Sequence, residues 1–242
     1  MAGMRRARAT FLIGCGLVLT ISACGDGSSF AQQPVGDILE AARAAGDDAT
    51  ATHVVGDLTD QGKRYTVDLH LSADGDCWGD LRTRKGRIEL RVAEKRVFFR
   101  ADQAFFEQSG LSPAQAAETV AQVGDRWLET KDTSGLGPLC DLSELLHGLT
   151  SGASTPEFAD LSDLAAQGTS EVAGVDVVEV SGKEEDGPYR MYVAVDEPHY
   201  VMRLVADTDT DEPGTITFSD YDLPVGSTVP DKHDIVPIPA GG

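Results

Sequence analysis

The sequence is poor in the residues and spacings that metal, redox and hydrolytic centres require. Only five of its 242 residues are histidines, and none of them forms an H-x-x-x-H or H-E-x-x-H pair. The four cysteines contain no C-x-x-C spacing, and a G-x-S-x-G nucleophile elbow is absent. We therefore expect no enzymatic activity, no metal and no cofactor, and we interpret the isolated histidines as exposed or core residues.

Basic residues are also scarce. The chain has 20 Lys and Arg against 40 Asp and Glu, and the part after residue 23 carries 17 of the basic and all 40 of the acidic residues. Nucleic-acid binding is excluded because so few cations cannot neutralise a run of phosphates, and electrostatic adhesion to anionic headgroups is disfavoured. We interpret the acidity as a solvated, self-repelling surface; the alternative is a surface that recruits cations or a basic partner.

Long apolar runs are absent except at the N-terminus. Three arginines, and no acidic residue, precede an apolar stretch at residues 11–20, an order typical of an export signal. Residues 21–24 (Ile-Ser-Ala-Cys) then resemble a bacterial lipobox, whose cysteine is acylated after the signal is removed. Residues 1–23 are thus predicted to be a lipoprotein signal peptide and Cys24 the lipidation site; an ordinary secretory signal is the alternative. Two or three acyl chains, at ~0.8 kcal/mol per buried CH₂, would anchor the protein to the extracytoplasmic face of the cell membrane.

The chain after the signal divides into three predicted parts. Residues 24–33 are small and polar and form a flexible tether. Residues 34–225 form one folded domain, which opens with a helix over residues 34–45. Residues 226–242, which are rich in proline, form an extended C-terminal tail.

Two stretches of the domain alternate between apolar and polar residues. The first covers residues 53–101 and the second residues 168–221, with Gly- and Asp-containing turns between the segments. Such alternation predicts strands with one dry and one wet face. Hairpin-linked strands of this kind form an antiparallel meander that presents a continuous apolar surface.

Between these stretches the apolar residues recur every three to four positions, which predicts helices. Asp102 caps the first of them, and Ser112-Pro113 opens the second, which ends at Gly124. Residues 139–149 and 157–166 form two more. The order predicts an α+β fold: a curved antiparallel sheet, or half-barrel, wrapped over a small helical block.

Two cysteines remain once Cys15 and Cys24 are assigned to the signal and to the lipid. In an exported domain the expectation is that Cys77 and Cys140 form a disulfide, and two separate buried thiols are the alternative. Closing a loop of roughly sixty residues would stabilise the fold by about 4 kcal/mol in the chain-entropy description.

The order of the elements and several local segments resemble a known family. The lipobox, the polar tether, the first helix and the strand pair at residues 52–56 and 65–71 are similar to those of the LppX/LprAFG-type lipoproteins. Further likeness lies at residues 97–106, 126–128 and 198–204. These lipoproteins are related in shape to the periplasmic carrier LolA. The resemblance implies a half-barrel with a hydrophobic cavity for lipids or glycolipids and no catalytic residues.

We therefore expect a lipid-anchored lipoprotein that binds or carries a lipid or glycolipid between its sheet and its helices. The predicted cavity wall consists of inward-facing residues of both strand blocks: Val67, Leu69, Leu71, Ile88, Leu90, Val97, Phe99, Met191, Val193, Met202 and Leu204. A membrane transporter or another envelope protein is the class of protein partner that such a carrier would meet. The alternative is a non-catalytic cell-surface interaction or sensing module that has a filled core on the same scaffold.

Overall fold

A computed structural model of the chain describes residues 30–60, 62–130, 140–143, 145, 162–184, 187–206 and 213–237. Helices α1, α2 and α3 cover Val35–Asp48, Gln103–Gln108 and Pro113–Val123. The first block of strands is β1 (Ala51–Asp60), β2 (Lys63–Ser72), β3 (Cys77–Thr83), β4 (Arg87–Ala93), β5 (Arg96–Ala101) and β6 (Trp127–Thr130). The second is β7 (Ser162–Val172), β8 (Val175–Glu184), β9 (Gly187–Ala194), β10 (Val201–Ala206) and β11 (Gly214–Ser219), followed by β12 (Ile235–Pro237).

All twelve strands belong to one sheet, whose order is β12-β6-β5-β4-β3-β2-β1-β11-β10-β9-β8-β7. Each block is a meander of antiparallel neighbours, and the two blocks join where β1 pairs antiparallel with β11, with Val54 opposite Phe218. The chain halves therefore form one continuous surface. This arrangement confirms the predicted fold class, a single curved sheet of predominantly antiparallel strands with the helices on one side.

The helices begin where the sequence predicts them. The Asp102 side chain accepts a hydrogen bond from the amide of Phe105, and Ser112 forms a capping box with Gln115. Helix α1 continues to Asp48, three residues beyond the predicted end at residue 45. Ile38, Leu39 and Ala42 of this helix are buried against the sheet.

One predicted helix is wrong over the residues that the structure describes. The sequence pattern predicts a helix over residues 157–166, yet Ser162–Val172 is strand β7 and pairs with β8. Two register shifts interrupt this pairing, at Ser162/Ala165 and at Ala166/Gly168, and they break the period-two alternation that would identify a strand. The pairing with β8 overrides the helix preference of the alanines. Residues 157–161 and most of the predicted helix at 139–149 lie outside the described residues.

The predicted tail contributes to the edge of the sheet. After an irregular course, a short 3₁₀ turn (Lys232–Asp234) leads into β12, which pairs parallel with β6, and Ile235 lies opposite Trp127. Upstream, the Ser227 hydroxyl lies within hydrogen-bond distance of the carbonyls of Cys77 and Val92, at 3.1 and 2.8 Å. The tail therefore covers β6, which would otherwise be an open edge.

The predicted disulfide between Cys77 and Cys140 is present, with 5.6 Å between the two Cα atoms. It links the first residue of β3 to the described segment 140–145, whose Leu142 is also buried in the core. The helical block and the first strand block are thereby joined covalently at one end of the sheet.

Candidate functional site

The candidate site is the apolar face of the sheet, which the helices partly cover. Ten of the eleven predicted wall residues belong to one cluster of packed side chains, which we call the main cluster. Nine of them are buried and Val67 is half-buried against the others. The buried nine are Leu69, Leu71, Ile88, Leu90, Val97, Phe99, Met191, Val193 and Leu204.

Met202 is the exception, and its assignment to this face is wrong. It belongs to a second, smaller cluster together with Val172, Val177 and Ala194. The cause is a β-bulge between Val201 and Arg203, which inserts one residue into β10. Val201 and Leu204 both reach the main cluster, so the extra residue between them points to the opposite face.

Burial of the apolar face differs between the two ends of the strands. At the end where β1 and β3 begin, a row of paired residues runs across five strands, and its exposure lies between 0 and 7 %. We call this end the closed end. The row consists of Thr52, Leu71, Cys77, Val92 and Val97.

Towards the β1–β2 and β3–β4 hairpins, which we call the open end, the face is less covered. There Leu81 pairs with Val67, Val67 with Gly56, and Gly56 with Ile216. Leu81, Val67 and Ile216 are all half-buried although they pack against the main cluster. We call these three side chains, with Gly56 between them, the half-buried row.

Gly56 keeps the half-buried row free of one further side chain. A Cβ atom at this position would lie 2.9 Å from Cγ2 of Val67, which is closer than real contacts of this kind. The absence of a side chain therefore lets Val67 lie over the backbone of β1. A shallow apolar surface across β3, β2, β1 and β11 results.

The helices that cover the main cluster carry small residues as well as large ones. Helix α1 contributes Ala42 beside Ile38, α3 contributes Ala116, and α2 contributes Phe106. Helix α2 lies directly on the β3–β4 hairpin, since a Cβ atom on Gly86 would be 2.6 Å from the amide nitrogen of Phe105. The helical cover thus meets the sheet closely at one side of the open end.

Basic residues surround the open end of this acidic chain. A depression of about 480 Å³ there is lined by Lys63, Arg64, Arg84 and Lys85, together with Tyr65 and Gln108. Tyr65 lies two residues from Val67 on the same face of β2, so the depression adjoins the half-buried row. Arg64 pairs with Asp57, and hydrogen bonding to that carboxylate raises the pKa of the guanidinium. We call the four basic residues the basic rim.

A hydrogen-bonded network fastens the closed end. Asp222 accepts hydrogen bonds from the Thr50 amide at 2.8 Å, from the Thr50 hydroxyl at 2.9 Å and from the Tyr200 hydroxyl. These hydrogen bonds lower the pKa of Asp222, and the one from Tyr200 has the largest effect. The pKa of Tyr200 is raised to about 12, mainly by burial and secondly by the hydrogen bond to Asp222. The Tyr200 ring stacks on Tyr221 with 3.9 Å between centroids.

The opposite face of the first strand block, which we call the outer face, is polar. Ion pairs cross between neighbouring strands, among them Arg87 with Asp80 and Arg100 with Glu89. Trp127 lies under two guanidinium groups, whose carbons are 4.7 Å (Arg91) and 4.2 Å (Arg100) from the ring centroid. These contacts indicate a solvated structural surface.

The outer face also brings together two histidines that the sequence interpretation leaves scattered. His53 on β1 lies opposite His70 on β2, and their rings stack with 4.0 Å between centroids. Burial is the main cause that lowers the pKa of His70, and the charge of His53 is the second. Asp68 approaches His53, with 2.8 Å between Oδ1 and Nε2. The short β1–β2 connection carries the signal for this cluster, since a register that places Asp60 opposite Lys63 also places His53 opposite His70.

Among the described residues, none of the helices has the length and apolarity needed to cross a membrane. Cys24 and residues 1–23 lie outside the described residues, so the lipidation site and the signal peptide stay predictions.

Comparison with solved structures supports the predicted fold. LprF from Mycobacterium bovis matches 81 % of this chain and 96 % of its own, with 16 % identity and a TM-score of 0.56. The lipoprotein LppX from Mycobacterium tuberculosis matches 80 % of this chain and 98 % of its own, with 17 % identity and a TM-score of 0.52. No protein-family profile matches the sequence, and no curated protein does either. The resemblance to the LppX and LprAFG lipoproteins is thus confirmed for the fold.

Proposed function

We propose that the protein is a lipid-anchored, extracytoplasmic lipoprotein that holds the acyl part of a lipid or glycolipid between its sheet and its helices, without chemistry. The half-buried row carries this proposal. Leu81, Val67 and Ile216 present apolar surface that the protein's own side chains leave partly uncovered. An acyl chain laid on this row would gain ~0.8 kcal/mol for each CH₂ removed from water.

The basic rim supports a defined orientation of the lipid. It places four cations at the end of the apolar row, in a chain whose net charge is −20. Among the described side chains, Lys63, Arg84 and Lys85 form no ion pair with a carboxylate. A lipid with its chains on the half-buried row would bring its headgroup to these cations, which favours a headgroup with negative charge.

The anchor is proposed from the sequence. Acylation of Cys24 would attach the domain to the membrane through the tether of residues 24–33. The fold that the chain shares with the lipoprotein LppX is consistent with this position. A domain held at the membrane surface could take up and release lipid over a short distance, and a membrane transporter or envelope protein would receive it.

A second function is favoured by one observation, the complete burial of the closed-end row. Where Leu71 and Cys77 are 0 % exposed, the interior is filled with the protein's own side chains. A scaffold whose open end is filled in the same way would serve as a non-catalytic interaction or sensing module.

Lipid analysis of matched variants tests the proposal. The full-length protein is purified in one mild detergent as wild type, Val67→Trp, Leu81→Trp and Val55→Trp, and bound lipid is quantified by mass spectrometry. Val55 is a matched control because it is 44 % exposed and lies one residue from Gly56 on the outer face. Since all four proteins carry the same anchor, differences between them report lipid on the apolar face.

We expect wild type and Val55→Trp to retain lipid in a stoichiometric amount, and the two inward tryptophans to reduce it strongly because they occupy the half-buried row. Equal lipid in all four proteins, or none above the detergent background in the wild type, would reject the carrier function in favour of the interaction module.

A further inference from the structure

The outer face carries a cluster of three groups that donate electron pairs. His53 on β1 lies directly opposite His70 on β2, and Asp68 precedes His70 by two residues on the same face. One ring nitrogen of each histidine and one carboxylate oxygen of Asp68 lie within 4.8 Å of one another. Residues opposite each other, or two apart on one strand, can converge on one point above the sheet.

The distances fit a small cation after a modest adjustment. Nε2 of His53 is 2.8 Å from Oδ1 of Asp68. Zinc binds imidazole nitrogen at about 2.0–2.1 Å and carboxylate oxygen at about 2.0–2.2 Å, so two neighbouring ligand atoms lie roughly 3.3 Å apart around a tetrahedral ion. The separation between His53 and Asp68 would have to increase by a few tenths of an ångström, and the His70 nitrogen, which lies within 4.8 Å of both, would have to move towards the ion.

His70 has a free coordinating atom. Among the described residues neither of its ring nitrogens makes a hydrogen bond, and its contacts are the two stacked rings, His53 and Trp78. The Trp78 ring lies 4.1 Å from that of His70 between centroids. The two neighbouring rings hold the imidazole plane upright on the sheet while a nitrogen stays available.

A second carboxylate lies close to the other ring nitrogen of His53. Oδ2 of Asp220 is 3.6 Å from Nδ1 of His53, and the Ser219 hydroxyl oxygen is 3.4 Å from the same nitrogen. Metal-binding histidines generally donate the N–H of their other nitrogen to a carboxylate, carbonyl or water, which fixes the tautomer and makes the ligand more basic. Ser219 lies within hydrogen-bond distance of Nδ1 of His53 and the Asp220 carboxylate lies just beyond it, so both groups are placed on the side away from Asp68.

The surroundings give a cation access. Asp68 lines a depression of about 420 Å³ on the outer face, beside Val55 and Thr217, so water could complete the coordination. The net charge of −20 attracts cations to the surface in general, and the nitrogen donors select among them. Imidazole suits zinc, copper, iron and nickel, whereas calcium and magnesium prefer oxygen ligands.

We propose that His53, Asp68 and His70 form a surface binding site for a divalent cation of the zinc type, in which Asp220 positions His53. The site is separate from the apolar face, and it does not depend on lipid binding. The competing explanation is a structural ion pair, in which His53 lies between Asp68 and Asp220 and no metal binds.

Zinc titration of the full-length protein distinguishes the two explanations. The protein carries no histidine tag, is freed of metals with a chelator, and is titrated by calorimetry while Trp fluorescence is recorded. The variants are His70→Gln, Asp68→Asn and Asp220→Asn, and His233→Gln is the control because His233 is exposed in the 3₁₀ turn before β12. Circular dichroism checks that each variant is folded. If His70→Gln unfolds, Asp68→Asn, which has nearly the same shape as the wild-type side chain, still tests the site.

We expect one zinc ion per chain. Zinc affinity should fall by at least tenfold in His70→Gln and Asp68→Asn, fall by about tenfold in Asp220→Asn, and stay unchanged in His233→Gln. The fluorescence change should come from Trp78, and therefore be lost in His70→Gln. Calcium at equal concentration should not compete.

Two results would overturn the proposal. Zinc binding that is absent in the wild type would leave the structural ion pair as the explanation. Zinc binding that is equal in wild type and His70→Gln, or that calcium displaces at equal concentration, would show that the acidic surface alone attracts the ion.

Discussion

The closed end and the open end of the sheet consist of the same strands but are held together differently. At the closed end a disulfide, the Ser227 hydrogen bonds and the network around Asp222 accompany a row of fully buried side chains. At the open end the same strands carry the half-buried row and the basic rim. Because the strands are continuous, the difference arises from what covers them.

The comparison suggests that stability and binding are separated along the strand direction. Fastening one end allows the other to keep uncovered apolar surface, since a fold that is stable elsewhere tolerates a site that is not optimised for packing. Changes at the closed end should therefore reduce the free energy of unfolding, and changes at the open end should alter bound lipid with little loss of stability.

The largest effect is expected for the disulfide. Replacing Cys77 and Cys140 together by alanine should lower the free energy of unfolding by about 4 kcal/mol, because the cysteines are 63 residues apart and the bridge restricts a long loop of the unfolded chain. Urea denaturation without reductant, followed by circular dichroism, measures the difference. A loss below about 1 kcal/mol would show that the closed end does not depend on the bridge.

A matched pair of leucines compares the two ends directly. Leu71 at the closed end is 0 % exposed, whereas Leu81 on the adjacent strand β3 faces the same side and is half-buried. Leu71→Ala should cost about 3 kcal/mol because it leaves a cavity, and Leu81→Ala about 1 kcal/mol because its surroundings are partly open. Equal costs in urea denaturation would mean that the open end is packed as tightly as the closed end.

The network at the closed end should depend on pH. The lowered pKa of Asp222 means that its carboxylate stabilises the fold above the pKa of the unfolded state, and this stabilisation is lost as the pH falls through the lower folded pKa. Asp222→Asn should therefore cost about 1 kcal/mol at pH 7. The difference from wild type should shrink below about pH 4, where the unfolded carboxyl is protonated.

The measurement is urea denaturation of both proteins at pH 7, 5 and 3. Asp231→Asn is a suitable control, since Asp231 is exposed in the tail. A difference between Asp222→Asn and wild type that is constant over this range would contradict a role for the charged carboxylate.

Much of the fold follows from local patterns. The alternation within the strands identifies the dry face, and ten of the eleven wall residues lie in the main cluster as a result. The caps at Asp102 and Ser112 are equally local, because a side-chain oxygen satisfies an amide only three residues away. These features need no knowledge of distant contacts.

The errors occur where a distant partner decides the structure. The bulge in β10 turns Met202 to the opposite face, and the pairing with β8 makes a strand of an alanine-containing stretch that reads as a helix. The parallel pairing of β12 with β6 joins residues more than a hundred positions apart. Val67 is among the predicted wall residues, but its incomplete burial does not follow from the sequence, because alternation shows which residues face the helices and not how completely the helices cover them.

The smallest effect on stability is expected at the basic rim. Lys63→Glu with Lys85→Glu should change the free energy of unfolding by no more than about 0.5 kcal/mol, since exposed side chains away from packed features contribute little. Binding of a lipid with an anionic headgroup should fall roughly fivefold for each lysine, as a basic residue near such a headgroup is worth about 1 kcal/mol. Lys232→Glu, in the exposed 3₁₀ turn, is the control for net charge and is compared with each single rim variant, which changes the charge by the same amount.

The measurement compares uptake from vesicles of phosphatidylglycerol and of phosphatidylcholine. The rim variant should lose its preference for the anionic lipid, whereas the midpoint of its urea denaturation should stay the same. This result would place binding at the open end and stability at the closed end. If Lys232→Glu weakens uptake as much as the rim variant, net charge rather than the rim determines the preference. The control adds its negative charge in the tail, whereas the rim variant adds it beside the apolar row, so a larger loss in the rim variant reports contact between the rim and the headgroup.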